Sequence, residues 1–215
     1  MKREIIHIVL LTLRISSLST LISAVVALPL GLALGLFENK ITRFFRPLFT
    51  ALTGLPPVIA GVVVFMLFSN NGIMGGLKWL YSAKVIIIAQ VLIVLPIITS
   101  QIYPAVEPIR ESYLLNCYGL RMKKSQIILQ LLKEVSFSVL AATLAGFGRA
   151  IAEVGAVMMV GGNIRFKTRV MTSAIVLETN KGNYTMALRL GMILIVISLI
   201  LSFATIYAGR RGSHD

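Results

Sequence analysis

The chain has 215 residues, of which 57% are hydrophobic and only 13% are charged, with a mean hydropathy of +0.88. Soluble domains carry about 25% charged residues, so this composition excludes an ordinary soluble protein and predicts a single integral membrane domain over residues 1–215. The 21 Lys and Arg against 8 Asp and Glu give a net charge of +13. Because the basic residues form short clusters between apolar runs, we expect contacts with membrane lipid and no nucleic-acid binding.

Several kinds of chemistry lack the residues they need. Cys117 is the single cysteine, which excludes an internal disulfide, and the two histidines, His7 and His214, lie at opposite ends of the chain. We therefore expect no bound metal. The sequence has no phosphate-binding loop and no acidic pair suited to hydrolysis. We expect a protein that is not an enzyme and binds no cofactor, so that any ATP would be used by a partner subunit.

Five apolar segments are long enough to cross a bilayer, which takes about 20 residues as a helix. They lie at about residues 8–36, 49–68, 85–103, 135–160 and 188–208. The predicted fold class is therefore an all-α integral membrane protein with about five transmembrane helices. Pro56 and Pro57 lie inside the second segment, where they either start a helix at the interface or kink a helix interior.

The segment at about residues 107–134 connects the third and fourth spans and is mixed in character. Its apolar and basic residues predict one or two short amphipathic helices outside the bilayer, broken at Gly119. Such helices either lie on the membrane surface or dock a partner. If this segment is cytoplasmic, five spans place the N-terminus outside and the C-terminus inside. Lys and Arg are nearly equally divided between the two sides, so charge alone does not orient the chain.

Arg149 and Glu153 lie in the fourth apolar segment, where an ionisable side chain is costly unless it is paired. Their i, i+4 spacing predicts an ion pair on one face of a continuous helix. Small residues at helical spacing run beside them, which permits close helix packing: Ala141, Ala145, Gly148, Ala152 and Ala156. The segment is thus the wall of a pathway or a close helix–helix contact. The pair either stabilises structure or contacts an anion.

A basic cluster of Arg165, Lys167 and Arg169 follows Gly161-Gly-Asn163 at the end of this segment. On the outer side of the membrane, such a cluster would concentrate anions at the mouth of a pathway. An ordinary loop that contacts lipid headgroups is the alternative.

The run from Gly148 to Ile164, Gly-Arg-Ala-Ile-Ala-Glu-Val-Gly-Ala-Val-Met-Met-Val-Gly-Gly-Asn-Ile, resembles a signature of ABC-importer permeases for tetrahedral oxyanions. The form here is most similar to the tungstate permeases, whereas molybdate and sulfate permeases carry looser versions. Leu55-Pro-Pro-Val58 with Gly61, Ile88-Ala-Gln90 and Leu95-Pro-Ile97 fit the same family. The resemblance covers nearly the whole chain.

This resemblance implies the type I importer fold in the inner cell membrane, as a homodimer with an ATPase subunit and an extracytoplasmic oxyanion-binding protein. The pathway would follow the dimer interface. Its candidate pathway or gate residues are Arg149, Glu153, Gly155 and Asn163. The ATPase would dock on the segment 107–134, with Glu111, Tyr113, Leu114, Leu115 and Gly119 as candidate coupling residues.

The docking motif of this family departs from its usual form here. The family usually has Glu-Ala-Ala, three further residues and Gly. Gly119 fits, but Tyr113, Leu114 and Leu115 replace Glu-Ala-Ala, and Glu111 comes two residues too early. The coupling role is therefore expected from the position of the segment between the third and fourth spans.

The predicted function is a permease subunit that moves tungstate into the cell by alternating access, driven by a partner ATPase. The alternatives are a molybdate or sulfate permease of the same kind, or a stand-alone secondary anion transporter. Secondary transporters often contain internal repeats with broken helices at matching positions, and no such repeat is evident in this sequence.

Overall fold

The computed structural model describes residues 2–211, which form an all-α structure without a strand. His214 lies outside the described residues, as do the extreme ends of the predicted 1–215 domain. The helices are α1 (Lys2–Leu36), α2 (Lys40–Thr53), α3 (Pro57–Phe68), α4 (Ala83–Val106), α5 (Arg110–Gly119), α6 (Lys124–Glu134), α7 (Ser136–Ala152), α8 (Gly155–Gly161), α9 (Met171–Asn180) and α10 (Tyr184–Arg211). Short 3₁₀ turns lie at Gly75–Leu77 and Glu107–Ile109.

The described helices supply three to five membrane spans, which agrees with the predicted number. The runs Arg3–Leu36, Ala83–Cys117 and Tyr184–Gly209 are each long and apolar enough to cross a bilayer alone. Two bent pairs could supply the others, namely α2 with α3 and α6 with α7, at angles of 100° and 66°. The second predicted segment, 49–68, is divided between α2 and α3. Pro57 is the first residue of α3, so the prolines start a helix rather than kink the interior of one.

The helices α1 and α4 pack against each other along their length. A Cβ at Gly31 would lie 2.7 Å from the Ile102 Cβ, and one at Gly35 would lie 2.5 Å from the Val106 Cβ. Both pairs have the same separation in sequence, so the two helices run parallel. Glycine lets them approach closely, which is a main source of helix association in lipid.

The two ends of the helix bundle are distinguished by ion pairs. Glu4, near the start of α1, pairs with Arg165 and Arg169. Glu38 follows the end of this 35-residue helix, about 50 Å away at 1.5 Å per residue, and pairs with Arg110 at the start of α5. We call these the N-terminal end and the coupling end. The N-terminus and the segment 107–134 thus lie at opposite ends, as the five-span interpretation requires.

The helix α9 was not predicted. It follows the basic cluster and packs against α10 and α1. Four consecutive residues at its start, Met171 to Ala174, are buried. Because the helix has only 10 residues and several of them are polar, it gives no hydropathy signal of the kind that identifies a membrane span.

Candidate functional site

The predicted fourth helix is broken at Glu153. The helix α7 ends at Ala152, Glu153 has an extended backbone (φ −72°, ψ 128°), and α8 begins at Gly155. The prediction of a continuous helix over 135–160 was therefore wrong. Close packing of α8 against α3 accounts for the change in direction: a Cβ on Gly155 would lie 2.7 Å from Val58 Cγ2, and one on Gly61 would lie 2.7 Å from the Cα of Ala156.

Arg149 and Glu153 form the expected ion pair, but it spans the helix break instead of lying on one continuous helix. Arg149 Nη1 is 3.0 Å from Glu153 Oε2. The other carboxylate oxygen accepts a hydrogen bond from the backbone N–H of Ala156 at 3.2 Å. The Glu153 side chain is only 4% exposed, whereas that of Arg149 is 36% exposed. A buried carboxylate needs such partners because desolvation of an isolated charge costs several kcal/mol.

Side chains from other helices satisfy the backbone carbonyls at the break. Gln90 of α4 donates its Nε2 hydrogen to the carbonyl oxygen of Ala150 at 3.0 Å, and Thr172 of α9 donates its hydroxyl to that of Glu153 at 2.7 Å. Ser19 of α1 donates to Gln90 Oε1 at 2.7 Å. Irregular backbone at membrane depth is stable only where protein or water satisfies it. The break is thus held by hydrogen bonds from α4 and α9, and Ser19 of α1 supports Gln90.

Gln90 and Thr172 were missed as site residues. Gln90 was noted only as part of a family-like motif, although it is a lone amide within the apolar run from Val85 to Leu95. A polar side chain within a membrane helix is a signal of function or of a specific contact. Thr172 lies in α9, which itself was not predicted, so its role had no sequence signal.

The Arg149 side chain faces a cavity of about 360 Å³ formed by α2, α3 and α4. Phe49, Ile59 and Leu92 are among its apolar lining residues. Of the described residues that line it, Arg149 is the only charged one. Its guanidinium group therefore pairs with the buried Glu153 and also borders an apolar space.

The small-residue row is divided by the helix break. Ala145, Gly148 and Ala152 line a groove of about 530 Å³ between α7 and α10, and Gly148 has room for a Cβ without any neighbour within 4 Å. Ala156 instead lies on α8 and is buried against α3. The row thus borders an open groove on α7 and contributes to a tight helix contact only on α8.

Asn163 lies at the other end of α8, in a left-handed conformation with φ +50°. Its amide nitrogen donates to the carbonyl oxygen of Ser173, whose hydroxyl donates to Asn163 Oδ1. Gly155, in contrast, lies directly beside the break. Of the four predicted pathway residues, the structure therefore brings Arg149, Glu153 and Gly155 together, whereas the Asn163 side chain fixes the loop to α9.

The basic cluster at the N-terminal end is partly neutralised by Glu4. Arg165 donates two hydrogen bonds to the two Glu4 carboxylate oxygens, at 2.9 and 2.8 Å, and Arg169 lies 3.4 Å from Oε1. These hydrogen bonds and the Glu4 charge raise the pKa of Arg165. Lys167 is exposed and forms no ion pair with any described residue. Glu4 was not expected at this position.

At the coupling end, one or two short helices were predicted and two are present, α5 and α6, with α5 ending at Gly119. The Tyr113 hydroxyl donates to the carbonyl oxygen of Ile127 at 2.6 Å, which joins the two helices. Leu114 is half-buried, whereas Glu111, Leu115 and Gly119 are exposed. Leu115 is 72% exposed, although it is a large apolar side chain.

Comparison with known proteins identifies the family. Residues 27–211 match the model of the binding-protein-dependent transport system inner membrane component. The tungstate uptake system permease protein TupB of Peptoclostridium acidaminophilum is 35% identical over 95% of this chain and 90% of its own length. TupB of Campylobacter jejuni is 32% identical over 79% and 71%. The molybdenum transport system permease protein ModB of Azotobacter vinelandii is 26% identical over 94% and 92%.

The resemblance stated from the motifs is thereby confirmed over nearly the full length of the chain. Members of this family are transport permeases of the inner membrane, which work with a substrate-binding protein and an ATPase. The chain belongs to the family of binding-protein-dependent transport system inner membrane components and is a permease subunit of an ABC importer.

Proposed function

We propose that this permease carries tungstate into the cell. The observation that supports this cargo most strongly is the 35% identity to a tungstate permease over 95% of the chain, against 26% to a molybdenum permease over a similar share. Family membership also argues against a stand-alone secondary transporter. Molybdate and sulfate, which are divalent oxyanions of the same shape, are the alternative cargoes.

Uptake measurements test the cargo. Cells that express this permease with its ATPase and binding protein are expected to accumulate tungstate, and a large excess of molybdate or sulfate should compete poorly. Deletion of the permease gene should abolish the accumulation. Equal competition by molybdate would contradict the proposed selectivity, and uptake that persists without the ATPase would favour a secondary transporter.

We infer that two copies form the working unit, with the pathway beside Arg149. One strip of α7 supports this placement, because its residues are exposed beside the α7–α10 groove. Leu140 and Ala152 are exposed on this strip, and Gly148 and Ala152 line the groove. A second copy packed there would cover small residues, which favour close approach in lipid, and would bring Arg149 to the interface.

Cysteine cross-linking tests the interface. After Cys117→Ser removes the native thiol, a Gly148→Cys variant is expected to form a disulfide-linked dimer under oxidation, because a side chain at this position meets no atom of its own chain. Val196→Cys on the exposed surface of α10 is a control expected to cross-link less. Equal cross-linking at both positions, or none at position 148, would contradict this interface.

The ion pair is proposed to hold the helix break in the gate, where alternating access requires α7 and α8 to move. Glu153→Gln is expected to impair tungstate uptake when the surface amount is matched to wild type, because the amide cannot attract Arg149 as a carboxylate does. Unchanged uptake would remove the pair from the mechanism.

The cations Arg165, Lys167 and Arg169 are proposed to attract the anion at the outer mouth. Among the described residues, Lys167 is the one of the three that lacks an ion pair.

The ATPase is proposed to dock on α5 and α6 and to hydrolyse the ATP that drives transport, while this chain binds no cofactor. The exposed Leu115 supports this docking surface, because several exposed apolar residues in one segment mark an interaction site. Leu120, just after α5, and Ile128 of α6 are exposed as well. Leu115→Glu is expected to abolish co-purification of the ATPase without unfolding the chain.

Ile73→Glu is the matched control for this variant. Ile73 is 92% exposed in the connection between α3 and α4, so the same kind of substitution is made in another exposed segment. The ATPase should remain bound to this control. Retention of the ATPase by Leu115→Glu would contradict the docking surface.

A further inference from the structure

Gln90 is almost completely buried, at 2% exposure, and it uses both ends of its amide. The oxygen accepts a hydrogen bond from Ser19 Oγ, and the nitrogen donates to the carbonyl of Ala150 in the last turn of α7. Among the described residues, this is the one side-chain hydrogen bond from α4 to α7. Gln90 therefore joins α1, α4 and the helix break at a single side chain.

The helix that carries Gln90 continues into the coupling segment without interruption. The α4 helix ends at Val106, the 3₁₀ turn Glu107–Ile109 follows directly, and α5 begins at Arg110. The backbone hydrogen bonds persist through this junction, from Glu107 N to Tyr103 and from Arg110 N to Glu107. The run from Ala83 to Cys117 is thus helical throughout. A displacement at the coupling end would be carried along α4 to Gln90.

The other side of the break is held by a different kind of contact. On α8, Gly155 and Ala156 meet Val58 and Gly61 of α3 through close apolar packing. On α7, the Ala150 carbonyl is held by the Gln90 amide, one residue from Arg149. The helix α4 also meets α8, but by apolar packing, with a Cβ at Gly161 2.8 Å from Ile86 Cδ1. The directional contact of α4 is made to α7, so a shift of α4 is passed to the residue next to Arg149 by a hydrogen bond.

We propose that Gln90 is a positioning residue that transmits movement of the coupling segment to the Arg149–Glu153 break, so that ATP hydrolysis in the partner is converted into transport. This inference rests on the proposed docking of the ATPase at α5 and α6. Gln90 touches neither the cargo nor the nucleotide. Its effect is therefore expected on the number of anions moved per ATP, rather than on binding of the partners.

The test compares Gln90→Met with wild type in proteoliposomes that contain the ATPase and the binding protein. Methionine has a similar size and lacks both hydrogen bonds. The hydrogen bond to the Ala150 carbonyl is the one that links α4 to the break, and loss of one such bond of about 1.4 kcal/mol corresponds to a factor of ten. We therefore expect ATP hydrolysis near the wild-type rate and about a tenfold fall in oxyanion uptake per ATP.

Thr99→Val is the matched control on the same helix. Thr99 is also completely buried, but its hydroxyl bonds only to the Leu95 carbonyl within α4. Uptake per ATP in the Thr99→Val variant should stay within twofold of wild type. An unchanged ratio in Gln90→Met, or an equal fall in both variants, would overturn the proposal. If Gln90→Met does not accumulate, Gln90→Asn, whose amide is one methylene too short to hold both partners, decides the question by the same criteria.

Uptake is measured with the oxyanion that the wild-type complex carries. If the wild type moves molybdate instead of tungstate, the cargo proposal fails while the role of Gln90 is still tested. If the wild type does not couple uptake to ATP, the mechanism itself fails, whatever the variants do.

Discussion

Two breaks between helices, the one between α2 and α3 and the one at Glu153, are stabilised in opposite ways. The break between α2 and α3 contains Gly54, Leu55 and Pro56, all of them exposed, and its turn hydrogen bonds are local, from Gly54 to Ala51 and from Leu55 to Leu52. The break at Glu153 is buried, and its carbonyls are bonded by side chains 60 and 19 residues away, in α4 and α9.

This difference follows from the residues at each break. Glycine and proline end and start helices by their own geometry. The first break contains several of them, so it does not depend on any single residue. The second break has no proline, and its buried carboxylate and carbonyls depend on side chains for part of their pairing. Single substitutions should therefore damage the second break far more than the first, and the break near the ion pair is the one that distant movements can adjust.

The largest effect is expected for Arg149→Met, which leaves the buried Glu153 carboxylate without its cation. We expect a loss of about 3 kcal/mol in the free energy of unfolding, the range found when one member of a buried pair is removed. Chemical unfolding of the purified permease in detergent measures it. The double variant Arg149→Met/Glu153→Gln should recover much of the loss, because a neutral amide can still accept from the Ala156 N–H.

Arg165→Met is the control for this prediction. Arg165 pairs with Glu4 at a comparable distance, but its side chain is 60% exposed. Exposed ion pairs contribute little to stability because water screens them, so a much smaller loss is expected. A loss as large as that of Arg149→Met would show that burial does not distinguish the two pairs. A double variant no more stable than Arg149→Met alone would contradict the role of the unpaired carboxylate.

A smaller effect is expected for Thr172→Val, which removes the hydroxyl bonded to the Glu153 carbonyl. The valine has nearly the same shape, so the loss of about 1–2 kcal/mol would come from the unsatisfied carbonyl. Thr143→Val is the matched control, since the Thr143 hydroxyl bonds only to Val139 within its own helix. Equal stability of the two variants, measured by unfolding in detergent, would show that the break does not depend on α9.

The sequence predicted those elements whose cause is local. Hydropathy located α1, α4 and α10, the two prolines indicated the start of α3, and Gly119 indicated the end of α5. The break at Glu153 could not be found in this way, because Ala150-Ile-Ala-Glu153 has no helix-breaking residue. Its causes are the packing of Gly155 on Val58 and hydrogen bonds from distant helices, which only the folded structure brings together.

The candidate site was likewise predicted only where its cause is local in the sequence. The Arg149–Glu153 pair followed from i, i+4 spacing, and the structure retains it even though the helix does not continue, because both residues still flank one turn. The sequence marked Gln90 only as a lone amide in an apolar run and did not mark Thr172 at all. Their contacts to the break could not be predicted, since these are to backbone carbonyls and the sequence does not show which carbonyls lack a helical donor.

The smallest effect is expected for Pro57→Ala at the first break. Pro57 is the first residue of α3, where its missing N–H would have no intrahelical partner in any case. The substitution adds freedom to the unfolded chain and should cost less than about 1 kcal/mol. Spin labels on exposed Phe45 and Met66, after replacement of each by cysteine in a Cys117→Ser background, should report an unchanged distance. The bend should persist because Gly54 and Pro56 remain. A straightened α2–α3 pair, or a loss larger than that of Thr172→Val, would show that the first break depends on one residue and is not redundant.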